Sequence, residues 1–170
     1  MNCGMKVTLL IALTADGKIA KDAAHFPDWT GKADKKLFKQ ITLAAGVVIM
    51  GSATYTTIGK PLLNRRNIVL TRRTDRASTH KNLVFTNKKP IEILEKLESD
   101  GFDHVIVIGG AQINTLFARA GLIDEMILTY CPKMFGTGLS LFTEPVSMDL
   151  ELLSTKQLEP HVFYAHYRVL

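Results

Sequence analysis

The sequence predicts an α/β fold with one open, mixed sheet, mostly parallel, with antiparallel C-terminal strands and helices on both faces. Two observations lead to this prediction. Short apolar runs alternate with helical patterns as far as Ala120, and after Asp124 strand-like segments follow one another with no helical pattern between them. Strands separated by helices pair in parallel through right-handed crossovers, whereas directly successive strands pair antiparallel.

The predicted strands of the parallel part are runs of β-branched and apolar residues bounded by glycine or polar residues. They are Val7–Leu13, Val47–Met50, Ile68–Thr71, Leu83–Thr86 and Val105–Ile108. Because these runs are apolar throughout, both faces of each strand are expected to be buried. Ligands of such sheets bind beyond the carboxyl ends of the parallel strands, so we look there for chemistry.

Three helices are predicted between these strands. Ala33–Ala45 carries an apolar stripe that includes Phe38, Pro90–Leu97 has proline at its first position, and Gln112–Ala120 follows a pair of glycines. The strands of the antiparallel end are Met126–Cys131, Leu150–Gln157 and His161–Val169.

Length and composition indicate one globular domain over residues 1–170, with 46% hydrophobic and 22% charged residues. The apolar run Val7–Leu13 is far shorter than the roughly 20 residues of a membrane span and has no cleavage signal. Cys3 and Cys131 are too few for a disulfide framework or a zinc site. We therefore expect a cytoplasmic monomer or homodimer with no membrane partner and no metal.

The formal net charge is +5, and basic residues are concentrated between Arg65 and Lys89, where Asp75 is the one acid. Such a stretch attracts anions. It is a solvated basic face, a nucleic-acid surface, or a site for a phosphorylated cofactor or an acidic small molecule. Only Phe85 offers a stacking platform there, so we expect no nucleic-acid partner.

Two glycine-containing strand ends are candidate phosphate contacts. Gly109-Gly110 follows the Val105–Ile108 strand, and Met50–Thr54 joins a strand end to a small, polar helix start. Glycine allows a ligand to approach the backbone closely, and a helix start offers free N–H groups. Each segment has an alternative without a ligand: a tight turn for the first and a capped helix start for the second.

Two further candidates carry charge. Asp34 lies in the first turn of the Ala33–Ala45 helix, where Trp29 and Phe38 could enclose a flat ring; the alternative is an acid that only stabilises the helix start. Arg65 and Arg66 follow a Pro61 turn. They form either a carboxylate clamp or two solvated arginines at a proline-ordered turn.

Taken together, these segments resemble the dihydrofolate reductase family. Val48–Tyr55, Ile58–Leu62, Arg65–Arg72 and Val107–Gly110 recur in the family's order and with nearly its spacing. The resemblance implies NADPH-dependent reduction of dihydrofolate to tetrahydrofolate, with the cofactor supplying the hydride and water the proton. It also implies a cis peptide bond between Gly109 and Gly110.

The same resemblance implies a role for each matching residue. The catalytic residues would be Asp34, Trp29 and Thr129, with Asp34 holding the amino-pyrimidine edge of the pterin. The substrate-binding residues would be Ala12, Phe38, Ile58, Leu62, Arg65 and Ile108, with Arg65 on the glutamate carboxylate. The cofactor-binding residues would be Ala20, Gly51, Ser52, Thr54, Leu70, Thr71, Arg72, Gly109, Gly110, Ala111 and Gln112.

Several positions depart from the family pattern. Ser52 replaces a basic cofactor contact, for which Arg72 would compensate, and Asn114 replaces an aromatic residue beside the nicotinamide. The segments Ala15–Ala20, Ala120–Met126 and Phe135–Leu139 look more like the related reductase domain of riboflavin biosynthesis. That domain shares the fold and NADPH but reduces a ribosylamino-pyrimidine phosphate, so this reaction is the alternative function.

Overall fold

A computed structural model describes residues 4–73 and 75–170 of the chain. Cys3 lies outside the described residues. The strands are β1 Lys6–Thr14, β2 Lys18–Ala20, β3 Val47–Gly51, β4 Arg66–Leu70, β5 Leu83–Thr86, β6 His104–Val107, β7 Glu125–Cys131, β8 Leu139–Ser140, β9 Leu150–Glu159 and β10 Val162–Val169. The helices are α1 Gly31–Ala45, α2 Ser52–Ile58, α3 Pro90–Ser99 and α4 Ala111–Arg119.

Eight strands form one sheet in the order β5-β4-β3-β6-β1-β7-β10-β9. The first six of these pair in parallel, and β10 pairs antiparallel with both β7 and β9. The mixed sheet of the sequence prediction is confirmed. Its antiparallel part begins only at β10, because the α4 crossover brings β7 back alongside β1 in the same direction.

Helices cover both faces of the sheet, as predicted. On one face, Phe38 and Ile41 of α1 pack with Leu10, Met50 and Ile108 of the sheet. On the other face, α3 and α4 pack against the alternate strand residues. The side chains of that second core include Leu9, Ile49, Val107, Leu94 and Phe117, all of which are buried.

Local sequence explains where these helices begin and end. Pro90 starts α3, and Glu92 accepts a hydrogen bond from the Lys89 N–H at 2.8 Å in a capping box. At the C-terminal end of α1, Gly46 adopts a φ of 74°, and its N–H donates a hydrogen bond to the Thr42 carbonyl. A residue with a Cβ is strained in that conformation, so the glycine ends the helix.

Two short strands and one helix were not predicted as elements. β2 and β8 form a separate two-stranded antiparallel sheet, and α2 extends through Ile58 from what the sequence indicated only as a helix start. Within the described ranges, no helix is long and apolar enough to cross a membrane.

Candidate active site

The candidate site lies where the carboxyl ends of β1, β6 and β7 meet at one edge of the sheet. Ala12 of β1 is directly beside Thr129 of β7 in the parallel register. The Gly109-Gly110 turn follows β6 on the other side of β1. The topology therefore brings together three segments that lie far apart in the sequence.

Asp34 is half-buried beside this edge, in the first turn of α1. Burial raises the pKa of its carboxyl group, against the smaller lowering effects of Thr30, Thr129 and the charge of Lys35. Burial, together with the charges of Asp34 and Glu159, also raises the pKa of the Cys131 thiol to about 11, which places Asp34 close to the end of β7.

Three buried side-chain atoms have no hydrogen-bond partner within the described part of the chain: Trp29 Nε1, Asn114 Oδ1 and Thr129 Oγ1. Thr129 is near enough to Asp34 to lower its pKa, but its hydroxyl makes no hydrogen bond of ordinary length and angle. A buried polar group without a partner costs about 1–3 kcal/mol. Trp29 lies just before α1, Asn114 on α4 and Thr129 on β7, and a ligand or a water molecule bound beside them would supply the missing partners.

Trp29 is held in an aromatic cluster. Its ring is parallel to that of His25 at 6.5 Å and meets the edge of Phe135 at 5.2 Å. Cys131 Sγ lies 3.6 Å from the carbonyl oxygen of Thr30, so the start of α1 is close to the end of β7. This arrangement places the indole beside the strand that carries Thr129.

Asp16 fixes the Phe135 side of that cluster. Its carboxylate accepts hydrogen bonds from the N–H groups of Gly136 at 2.7 Å and Phe135 at 3.2 Å, and from the Thr14 hydroxyl at 2.6 Å. These bonds lower the pKa of Asp16. Sequence reasoning missed this role, although it noted the segments that contain Asp16 and Phe135.

Two segments that the sequence analysis treated separately meet at the glycine turn. The Gly51 N–H donates to the Gly109 carbonyl at 2.8 Å. The Gly109–Gly110 bond is cis, as the family resemblance implied. A Cβ on Gly51 would lie 2.9 Å from Ile113, and one on Gly110 would lie 3.4 Å from Thr54 Oγ1. A side chain at either position would crowd Ile113 or Thr54, so the two glycines allow these segments to approach each other closely.

Arg65 is buried and held in place from two sides. Its Nε donates to the Leu63 carbonyl at 2.9 Å, and its Nη1 donates to Thr42 Oγ1 at 2.8 Å. Burial lowers the pKa of its guanidinium. The second N–H of Nη1 and those of Nη2 have no partner among the described residues. The alternative of two solvated arginines is therefore wrong for Arg65.

Most basic residues of the stretch are exposed, as the solvated-face alternative predicts, and some of them also contact other side chains; the exposed ones are Arg72, Arg73, Lys81, Lys88 and Lys89. Arg66 forms an ion pair with Asp100 at 2.5 Å, and Arg73 forms one with Asp75 at 3.2 Å. Arg76 stacks on Phe85 at 4.3 Å, which occupies the predicted stacking platform. Arg72 is exposed just beyond the end of β4.

The remaining predicted site residues fall into two groups. Four predicted lining residues pack in one apolar cluster: Phe38, Ile58, Leu62 and Ile108. The other predicted cofactor contacts lie at element ends. These are Ser52 at the start of α2, Leu70 at the end of β4 with Thr71 after it, and Ala111 and Gln112 at the start of α4. Ala20 lies on β2, where its carbonyl faces Gly138.

Within residues 4–73 and 75–170, no group of three or more His, Cys, Asp or Glu side chains is arranged to hold a metal ion. The polar groups of the site are a carboxylate, a hydroxyl, an indole N–H and an amide. They suit recognition of an uncharged or cationic heterocycle by hydrogen bonds.

Comparison with known proteins agrees with this arrangement. The family model described as dihydrofolate reductase matches residues 6–160 of the chain. The chain belongs to the dihydrofolate reductase family. It is 34% identical over 152 residues to the dihydrofolate reductase of Bacillus subtilis, covering 89% of this chain and 83% of that protein. The uncharacterized protein YwjB of the same organism is 28% identical over 162 residues, covering 89% and 91%.

Solved structures with the same fold include an enzyme of a different substrate class. The deaminase and 5-amino-6-(5-phosphoribosylamino)uracil reductase of Thermotoga maritima matches with a TM-score of 0.78 and 20% identity, covering 98% of this chain and 57% of that chain. At this identity the match demonstrates the shared fold and leaves the substrate open.

Proposed function

We propose that the protein is an NADPH-dependent reductase that converts dihydrofolate to tetrahydrofolate. The observation that carries the proposal is the half-buried carboxyl group of Asp34 close to the buried, unpartnered hydroxyl of Thr129. A carboxylate accepts from two N–H groups at once, and a hydroxyl beside it accepts or donates a third bond. An amino-pyrimidine edge offers this set of donors.

The side chains around Asp34 would orient the ring rather than react with it. Phe38 and Ile108 provide apolar contact for a flat heterocycle, and Trp29 limits the access of water. Asp34 would anchor the ring and favour its protonation, while a water molecule delivers the proton. When bound, NADPH supplies the hydride.

NADPH would be held at the backbone of Gly51, Gly109 and Gly110, where the ends of β3 and β6 meet, with Arg72 near the 2′-phosphate. Arg72 is exposed and free of an ion pair within the described residues. A charge-assisted contact contributes about 1.5–3 kcal/mol, or roughly one to two decades of affinity. Arg72→Ala should therefore remove most of the preference for NADPH over NADH. The measurement is the Kd of each cofactor, and equal affinities in the unmutated protein would contradict the assignment.

Arg65 supports a substrate with an acidic tail. Two of its N–H groups are bound to the protein, and the free ones keep the fork geometry that matches a carboxylate. Because the guanidinium is already fixed, binding a carboxylate would cost little side-chain entropy.

The alternative substrate is the phosphoribosylaminouracil reduced by the Thermotoga maritima relative. The observation that favours it is the bond between Asp16 and the Phe135–Gly136 backbone, because it joins two segments that look like the riboflavin-pathway reductase. The decisive experiment follows NADPH oxidation by purified protein with each substrate. Turnover of dihydrofolate supports the proposal, and turnover of the phosphoribosylaminouracil alone would replace it with the alternative.

A further inference from the structure

Asn114 is the one partnerless buried group to which the family resemblance gives no hydrogen-bonding role. It is fully buried on α4, and its backbone N–H donates to the Gly110 carbonyl at 3.0 Å. Its Oδ1 lies 3.8 Å from the point that a Cβ on Gly109 would occupy. The amide oxygen therefore faces the glycine turn.

The orientation of this amide is fixed by its other end. Asn114 Nδ2 donates to the Leu141 carbonyl at 2.9 Å. Exchanging the nitrogen and oxygen of the amide would place two acceptor oxygens against each other. Oδ1 is therefore a buried acceptor without a donor within the described residues.

Docking of the 141–143 segment does not require this oxygen. Thr115, the next residue, holds the same segment by accepting from the Thr143 N–H at 2.8 Å and by a hydroxyl contact to Thr143 at 3.1 Å. An apolar side chain at position 114 would remove the unpaired carbonyl, at the loss of the bond from Nδ2 to Leu141. In the ligand-free protein, the Asn114 carbonyl therefore lowers stability and forms no hydrogen bond that holds the fold together.

We propose that Asn114 is a ligand-binding residue whose Oδ1 accepts a hydrogen bond from an N–H group of the bound ligand. The donor is an amide or amino N–H, contributed by the nicotinamide carboxamide or by the heterocyclic substrate. This inference rests on the proposed function, because both donors belong to its reaction partners.

The test compares Asn114→Leu with Thr115→Val. The first removes the acceptor and the bond to Leu141, whereas the second weakens the docking of the same segment and leaves the acceptor in place. Trp29 is the single tryptophan, so its fluorescence reports binding in each titration. The titrants are NADPH, its reduced 3-acetylpyridine analogue, which lacks the amide N–H, and dihydrofolate.

Loss of one such bond should weaken affinity about tenfold. If the nicotinamide supplies the donor, Asn114→Leu raises the Kd of NADPH about tenfold and abolishes the preference for NADPH over the acetyl analogue. If the heterocycle supplies it, only the Kd of dihydrofolate rises. Thr115→Val should change each Kd less than about twofold.

Equal effects of both variants on all three ligands would overturn the proposal and assign Oδ1 to a bound water. If Asn114→Leu does not melt cooperatively, Asn114→Ser is compared with Thr115→Val in its place, because it removes the amide carbonyl with less change in packing. Unmutated protein that binds NADPH but reduces no heterocycle would refute the proposed function alone. The NADPH titrations would still decide the role of Asn114.

Discussion

Asp34 is a residue whose expected chemical role conflicts with the stability of the ligand-free fold. Burial raises its pKa above the unfolded value of about 3.9. The folded protein therefore binds more protons than the unfolded chain between the two pKa values, and stability is lost as pH rises through that window. Above the folded pKa, burial of the Asp34 carboxylate lowers the stability of the fold by its full amount.

Asp34→Asn should accordingly raise the melting temperature at neutral pH. For a chain of this size, each kcal/mol of added stability raises the melting temperature by about 2–4 °C. The gain should disappear below about pH 4, where the unfolded carboxyl is also protonated. Melting curves of both proteins between acid and neutral pH test this, and a lower melting temperature at neutral pH would contradict the burial of an unfavourable charge.

The same substitution should nearly abolish catalysis. Asparagine presents an amide donor to a ring edge that itself donates, so single-turnover reduction should slow by orders of magnitude while NADPH affinity persists. A near-parental rate with dihydrofolate would make Asp34 a helix-start acid and remove the basis of the folate assignment.

Arg65→Lys tests the proposed acidic tail. Lysine keeps the charge but loses the fork, so the KM for dihydrofolate should rise about tenfold, with a much smaller change for a dihydropterin lacking glutamate. The control is Thr42→Val, which removes a hydrogen-bond partner of the guanidinium without altering the fork. An equal rise for both substrates would indicate that Arg65 is structural.

At the scale of elements, Asp16 joins the turn after β1 to the segment after β7. Its pKa is lowered, so its contribution to stability is present above the unfolded pKa and is lost as pH falls through the folded one. Asp16→Asn should lower the melting temperature at neutral pH and alter Trp29 fluorescence through Phe135. Asp28→Asn removes the same charge from an exposed position in the segment between β2 and α1 and should leave the melting temperature unchanged.

The sequence predicted the helices and strands that are long enough to show a pattern of apolar residues. β1 and α1 were predicted from their own patterns. By contrast, β2 and β8 have three and two residues, and each is a strand only because it pairs with the other. No local pattern encodes a pairing between Lys18 and Ser140.

The candidate site was predicted to a similar extent. Motifs identified Asp34, Thr129 and the glycines, and the structure brings them to one edge of the sheet. The contacts of Asp16 with Phe135 and of Asn114 with Leu141 join distant parts of the chain. Neither could be predicted, because each depends on how two loops meet in three dimensions.

For the whole molecule, the strand order predicts a gradient of stability. β3 and β6 lie inside the sheet with buried residues, whereas β9 is an outer strand with mostly exposed side chains. Amide hydrogen exchange should be slowest in β3 and β6, through global unfolding, and fastest among the strands in β9, through local opening. Protection of β9 equal to that of β6 would indicate that a second copy covers this edge.

The position of β1 between β6 and β7 also sets an order of events during synthesis. β1 leaves the ribosome before every other strand of the sheet, yet the residue that pairs with Lys6 is His104. At roughly 5–20 residues per second, β6, the first strand that can pair with β1, is synthesised on the order of 5–20 s after it. A strand that ends up buried inside the sheet is therefore exposed to aggregation and to chaperones for longer than any other strand during synthesis.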